Sequence, residues 1–531
     1  MKALLSSPSR RRLALMRNGG RGRPRSRLLL FAAALVVSGA TLAQNYTAFE
    51  LQREDNWDEL VAEDVNGDGR ADLLYAEFRP GVGRELLIHH QRADGGFAAE
   101  PARVEIKSEI IAVGFADLRP DPGKELLLYA ADGVYSLASG TPGYAGNIRQ
   151  LFAWELIAPL PDRERVRFVR DIADRDGDGH IDLLVPGPES YGYFRGLGSG
   201  RFALAAEIAT ENPEVPAAVR DNFATDVRAQ VGIDAERGIV LDFSAETPTA
   251  FGDFIEQWDG QPKPALFEAE RWMPGAFFAE LNGDGLADLA YANQGVDGHG
   301  QLNIHYQQAG NRFNGKPDWR GAFDARGGWR LADLDGDGRD DLVQLLEDGD
   351  DWDARFYPNT GGGFDLANPA QVLRFGGYDL RIEVVVINGE TALAVTYFAV
   401  PAMEAIRNTG VQRVTLLYGS GAEDGQLFAR RPAMRLEESF SVDNVRGLAE
   451  PIILGHDLDG DGRSDALYVT ERGMLAARRV GDGLQIDSGD FWEYISPRSV
   501  FRLDVAHFNS DGRPDFILRH GTASTVLVSA P

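Results

Sequence analysis

A nine-residue pattern, repeated along the chain, limits what this sequence can fold into more than any other feature. Oxygen-bearing side chains occupy positions 1, 3, 5 and 9, and glycine occupies position 6. It reads Asp64, Asn66, Asp68, Asp72, and returns as Asp174, Asp176, Asp178, Asp182. It returns again as Glu280, Asn282, Asp284, Asp288, as Asp333, Asp335, Asp337, Asp341, and as Asp457, Asp459, Asp461, Asp465. Two degraded copies hold Asp117, Arg119, Asp121, Glu125 and His507, Asn509, Asp511, Asp515. The copies start at 64, 117, 174, 280, 333, 457 and 507, in steps of 53, 57, 106, 53, 124 and 50 residues. The two long steps are each roughly double a short one, so each hides a unit without the motif. Those units fall near 233–243 and 382–400, the second reading as two strands around an Asn388-Gly389 turn.

Every unit has the same grammar. A short apolar run precedes the loop and another follows it, as in LLYAEF at 73–78 and ALYVTE at 466–471. These runs are rich in Leu, Val and Tyr and predict strands. A glycine-rich turn ending in Phe comes next, at Phe97, Phe202, Phe313 and Phe364. It reads as the hairpin between a unit's last two strands. Four strands per unit is the make-up of a propeller blade. The expected fold is therefore all-β, a single propeller of about eight blades, with seven or nine open. The segment YTAFEL at 46–51 is placed to supply the missing strand of the last unit and tie the ring. Irregular insertions are expected near 211–229 and 398–412.

The loop chemistry points to calcium, which takes six to eight oxygens. A tight loop can aim side chains 1, 3 and 5 at one centre, the carbonyl of residue 7 can add an oxygen, and residue 9 can close the site. Glycine at 6 permits the positive φ of such a turn. An EF-hand is excluded: it needs Glu at position 12, where this chain has Tyr75, Val185, Tyr291, Gln344 or Tyr468. About five calcium ions are expected. In the degraded loop at 117, Arg119 stands at position 3 and supplies a positive charge of its own, with Asp121 as its expected partner. The loop at 507 keeps only Asp511 and Asp515 as acids.

The arrangement resembles the FG-GAP and VCBS repeats of integrin α-subunit propellers and of bacterial exported proteins, over about 46–531. The resemblance implies a β-propeller with calcium held in hairpin loops. The implied ligands are the side chains of the five intact loops and the position-7 carbonyls of Arg70, His180, Leu286, Arg339 and Arg463.

Composition fits an exported, cation-binding chain. Residues 1–43 hold nine Lys and Arg and no acid, with an apolar run LLLFAAALVV at 28–37 followed by small residues. This reads as a signal peptide cleaved after Ala43, leaving a propeller over 44–531 and no membrane span, in the periplasm or secreted. Beyond residue 43, 45 Lys and Arg face 81 Asp and Glu, against a whole-chain charge of −27. Such acidity argues against nucleic acid as a partner. There is no cysteine, so disulfides and thiolate metal sites are excluded.

The eight histidines form no metal-binding motif, and His89 and His90 are expected on opposite faces of a strand. Trp352, among the acids of 347–353, is a candidate contact for a cation or sugar. The leading reading is a calcium-braced binding or adhesion module for a protein or glycan. The alternative is an exported lyase or hydrolase acting on polysaccharide, to which no catalytic residue can be assigned.

Overall fold

The computed structural model describes residues 46–530, apart from 53–58, 140–141, 157–164, 211–274, 295–298, 311, 325–327, 349–350, 401–409, 422–425, 442–449, 471 and 522. The expected signal segment, the unit near 233–243, the insertion near 211–229 and most of that near 398–412 lie outside the described residues. Among the described residues no helix is long and apolar enough to cross a membrane.

Among the described residues eight sheets make up the fold, all antiparallel except for one strand pair in the second. Blade 1 runs Val61–Glu63, Asp72–Arg79, Gly83–His89, Ala102–Ile106. Blade 2 is Ile110–Ala116, Glu125–Ala130, Gly133–Leu137, Arg149–Ala153, and blade 3 is Leu183–Pro186, Ser190–Gly196, Phe202–Ala209. Blade 4 is Ala276–Ala279, Asp288–Gln294, His299–His305, Trp319–Asp324. Blade 5 is Gly328–Ala332, Asp341–Asp348, Asp351–Tyr357, Gln371–Gly376. Blade 6 is Tyr378–Ile387, Glu390–Ala399, Gly410–Tyr418, Met434–Ser441, and blade 7 is Ile453–His456, Asp465–Val469, Leu475–Arg479, Trp492–Tyr494. Blade 8 takes Arg502–Ala506, Asp515–Arg519 and Ala523–Ser529 from one end of the ring and Tyr46–Gln52 from the other. Seven residues of that first strand pair antiparallel with the last, from Tyr46 opposite Ser529 to Gln52 opposite Ala523. YTAFEL thus supplies the fourth strand that the last unit lacked.

The core lies between blades. Leu74 and Leu86 of blade 1 share a cluster with Val113 and Leu128 of blade 2. Tyr193 of blade 3 clusters with Leu289 and Tyr291 of blade 4. The circuit ends where Leu73 and Phe97 of blade 1 meet Phe508 and Val526 of blade 8. The Phe of each glycine-rich turn serves this seam by reaching back to the preceding blade. Phe97 meets Phe508 edge-on at 5.3 Å, Phe313 meets Tyr193 at 5.1 Å, and Phe364 meets Trp319 at 5.8 Å.

One seam departs from the four-strand rule. The strand Arg167–Val169, due to start blade 3, pairs in parallel with Ala112–Gly114 of blade 2. Blade 2 therefore has five strands and blade 3 three. Gly114 makes this possible: a Cβ there would lie 2.6 Å from Ile172 Cδ1 and 3.1 Å from the Val169 carbonyl. The segment regains blade 3 at a single bridge, Ala173 to Asp182.

Candidate metal centre

Every acidic loop but one joins the first two strands of its blade; the loop at 174 leads from the displaced strand Arg167–Val169 into the first strand of blade 3. Antiparallel succession puts these turns, and the glycine–phenylalanine turns, at one face of the ring. The unit without the motif near 382–400 is blade 6, where the Asn388-Gly389 turn replaces the loop. Asn388 has φ +52° and Gly389 +83°, the left-handed pair that a two-residue hairpin needs.

Backbone amides organise each loop. The position-1 carboxylate accepts the N–H of residues 4 and 6: Gly67 and Gly69 on Asp64, both at 2.8 Å, and Gly460 and Gly462 on Asp457, both at 2.7 Å. Glu280, one methylene longer, takes the same two bonds from Gly283 and Gly285 at 2.6 Å. Position 3 caps residue 5, and position 5 caps residue 7. Accordingly Arg70, His180, Leu286, Arg339 and Arg463 each donate their N–H to the preceding position-5 carboxylate at 2.9–3.0 Å.

Position 9 is buried, and in the loops at 280 and 333 it is doubly latched. Asp288 accepts Leu281 N (3.1 Å) and Gln307 N (2.8 Å), and Asp341 accepts Leu334 N (3.0 Å) and Asn359 N (2.7 Å). One bond holds the loop's second residue and the other holds the start of the next turn, so this carboxylate fastens two turns of its blade. Burial pushes Asp288 up to about 7 and Asp341 and Asp465 up to about 6, against the backbone donors that stabilise the anion.

The carboxylates of positions 1, 3 and 9 converge in three loops: Asp174, Asp176, Asp182; Asp333, Asp335, Asp341; and Asp457, Asp459, Asp465, each with ligand atoms within 4.8 Å of one another. In the loops at 64 and 280 the third position is an amide, Asn66 or Asn282. Asp465, 3% exposed, has one oxygen, Oδ1, with no hydrogen-bond partner. A bare, buried carboxylate oxygen beside two further carboxylates is what a hard cation would relieve, and the donor set is all oxygen, as calcium requires. The residues fit the ion.

Position 5 turns elsewhere. Asp68 meets the guanidinium of Arg70, and Asp337 that of Arg339. Asp178 meets Arg195 Nη2 at 2.7 Å while Arg195 Nε lies 3.2 Å from Asp176. Arg479 spans Asp459 and Asp461 with its two terminal nitrogens. In the loop at 280, Asp284 takes the amide of Asn282 at 3.2 Å instead. Sequence reading missed Arg195 and Arg479, and the register that reveals them is simple. Arg479 pairs with Asp465 across the ladder, and Arg195 is one step beyond the Leu183–Phe194 pair, opposite Asp182. The same place opposite Asp72 holds His90, whose Nδ1 is 3.0 Å from Asp72 Oδ2. Its neighbour His89 faces inward and stacks on Tyr75 at 5.9 Å, as alternation requires.

The degraded loops keep the architecture. Arg119 does not turn to Asp121 as expected; it donates to Glu125 (3.0 Å) and to Ser136 (3.0 Å). The reason is reach: Glu125 is the buried position-9 group, and a buried anion gains most from the guanidinium. In the loop at 507, Asp515 accepts Ser529 N and Oγ at 2.7 Å, and Asn509 donates to the Ser529 carbonyl at 2.8 Å.

Adjacent loops are chained. In three loops residue 8 donates its N–H to the preceding blade's loop: Ala71 to Phe508 O (3.0 Å), Lys124 to Val65 O (3.0 Å), Asp340 to Glu280 O (2.6 Å). Ser464 donates to Asn388 Oδ1 at 2.7 Å, so the motif-free blade keeps the link. Gly67, at φ +75°, packs where a Cβ would lie 2.6 Å from Gly123 N. Trp352 is buried, its indole N–H on the Gly377 carbonyl at 3.1 Å, which removes it as a surface contact.

No family model and no curated protein matches the chain. Among solved structures it is similar to an Agrocybe aegerita lectin described as recognising non-reducing terminal N-acetylglucosamine (16% identity, 73% of this chain and 80% of that one, TM-score 0.37). It is also similar to the Dos1 propeller (9%, 91% and 95%, TM-score 0.40) and to the periplasmic gluconolactonase PpgL of Pseudomonas aeruginosa (13%, 91% and 100%, TM-score 0.31). At such scores none of the three bears on ligand or substrate, and it is the eight sheets that define the propeller.

Proposed function

We propose that this chain is an exported propeller of the FG-GAP/VCBS kind, in which calcium braces the acidic loops and the opposite face binds a protein or glycan. The partnerless Oδ1 of buried Asp465, facing Asp457 and Asp459, carries the calcium part. Held by positions 1, 3 and 9, a bound ion would neutralise converging carboxylates and cross-link the first hairpin of a blade.

The face assignment follows from what each face has spare. Four turns at the acidic face are tied to a neighbour around the ring, and the apolar side chains that face exposes include Ile148, Leu197 and Val386. The other face carries exposed apolar side chains at strand ends and turns: Val82, Tyr378, Val400, Ile495 (74% exposed) and Phe501. Equilibrium dialysis of the full chain tests the calcium reading, with about five ions expected and one or none overturning it. A glycan array and a polysaccharide panel test the binding reading in calcium buffer. Saturable binding that Ile495→Ser and Phe501→Ser weaken supports it. Polysaccharide turnover transfers the case to the enzyme.

A further inference from the structure

Loops 333–341 and 457–465 share every residue except the eighth, Asp340 or Ser464. Their cations differ. In the first, the loop's own Arg339 lies on Asp337 alone, with its Nε on the Asn359 carbonyl at 3.2 Å. In the second, the equivalent Arg463 turns away to Asp482, and Arg479 from the neighbouring strand lies across both Asp459 and Asp461. The remaining oxygens of those two carboxylates already cap the loop: Asp459 Oδ1 accepts Asp461 N at 3.2 Å and Asp461 Oδ1 accepts Arg463 N at 2.9 Å. Positions 3 and 5 are thus fully engaged. In loop 174–182 Arg195 also lies across two carboxylates, hydrogen-bonded to Asp178 through Nη2 and in charge contact with Asp176 through Nε.

We propose that Arg195 and Arg479 are resident counter-cations that calcium must displace, so that their two loops take the ion more weakly than loop 333–341 does. The proposal rests on the calcium reading above. A guanidinium fork suits two adjacent carboxylates and neutralises them while the ion is absent. Calcium needs the oxygen of position 3, and its double charge repels a guanidinium held there. Displacement is feasible because both arginines are partly exposed, at 33% and 43%, whereas Arg119 is only 17% exposed and locked to Glu125. Arg479 also has a place to go, since its guanidinium already lies 4.7 Å from the Phe491 ring centre. The residue opposite position 9 on the third strand therefore sets affinity: arginine in blades 3 and 7, and Pro358, one step beyond the Leu342–Tyr357 pair, in blade 5.

A chelator-competition titration of the full chain decides the matter, with wild type compared against R195Q, R479Q and R478Q. R195Q and R479Q should each tighten one weak site by about fivefold, the scale of one exposed ion pair. R478Q, whose guanidinium serves Asp490 and Tyr468, should leave the isotherm unchanged. Asp335→Ala should delete a tight site and Asp459→Ala a weak one. Melting in calcium checks that each variant folds. If R479Q and R195Q bind as wild type does, or more weakly, the inference fails while the calcium reading stands. A wild-type chain that binds no calcium overturns both.

Discussion

Loops 333–341 and 457–465 are nearly the same string placed in two settings, and the setting decides the chemistry. Both clasp the preceding blade with two bonds. Asp340 gives its N–H to Glu280 O and takes Glu280 N on its carboxylate at 2.9 Å; Ser464 gives its N–H to Asn388 Oδ1 and takes Asn388 N on its hydroxyl at 3.2 Å. The one differing residue thus matches the neighbour it must hold. The candidate ligand positions are identical, yet one loop keeps its own arginine and the other receives a foreign one. A motif specifies which oxygens are available, and a strand register elsewhere in the blade specifies what competes for them.

The broadest way to break this comparison is to remove the ion from every loop at once. An ion that binds only the folded state stabilises it by about 2.7 kcal/mol per site at a hundredfold excess over Kd. Chelation should therefore lower the melting temperature by many degrees, and an unchanged thermogram would equate the intact loops with empty turns. Next in size is a loop with no need of calcium. Glu125→Gln leaves Arg119 facing a neutral group in a buried setting, at a cost of about 3 kcal/mol. That cost should be equal in calcium and in chelator, as paired melting curves will tell; dependence on calcium would mean that an ion, not Arg119, holds the loop.

Asp335→Ala should come third, costing about 2 kcal/mol in calcium and little in chelator. Asp459→Ala sharpens the contrast, because it removes an anion from a loop that already has a cation. Its effect should be smaller in calcium and should persist in chelator, where Arg479 keeps only Asp461. The same paired melts measure it, and a calcium dependence as steep as that of Asp335→Ala would erase the difference between the loops.

Much of the fold could be read directly. The spacing of the acids placed the first hairpin of six blades, Asn388-Gly389 marked the motif-free blade, and YTAFEL supplied the closing strand. The first two are local turn types within ten residues, and the third follows from counting the strands of the last unit. What escaped depends on pairs far apart in sequence. Nothing near Arg167 says that it will join blade 2 in parallel, since the permission comes from Gly114. Spacing points Arg119 to the near carboxylate, Asp121, because it cannot tell a buried Glu125 from a half-buried acid. Arg195 and Arg479 carry no motif, and only the ladder that sets them opposite Asp182 and Asp465 makes them visible.

The pairing of Tyr46–Gln52 with Ala523–Ser529 makes completion of the ring a late event in the life of each molecule. The partners are separated by about 470 residues, and joining ends that far apart costs on the order of 5 kcal/mol in chain entropy. That cost is met only when the full circuit of inter-blade seams exists to receive the strand. Until residue 523 has been made, the opening strand is without its partner and the edge of blade 8 is incomplete, the state in which sheets recruit foreign strands. A prematurely ended product would carry that open edge permanently. The first strand and the last are thus each the cover for the other's exposed edge, and neither sheet edge is protected until both are in place.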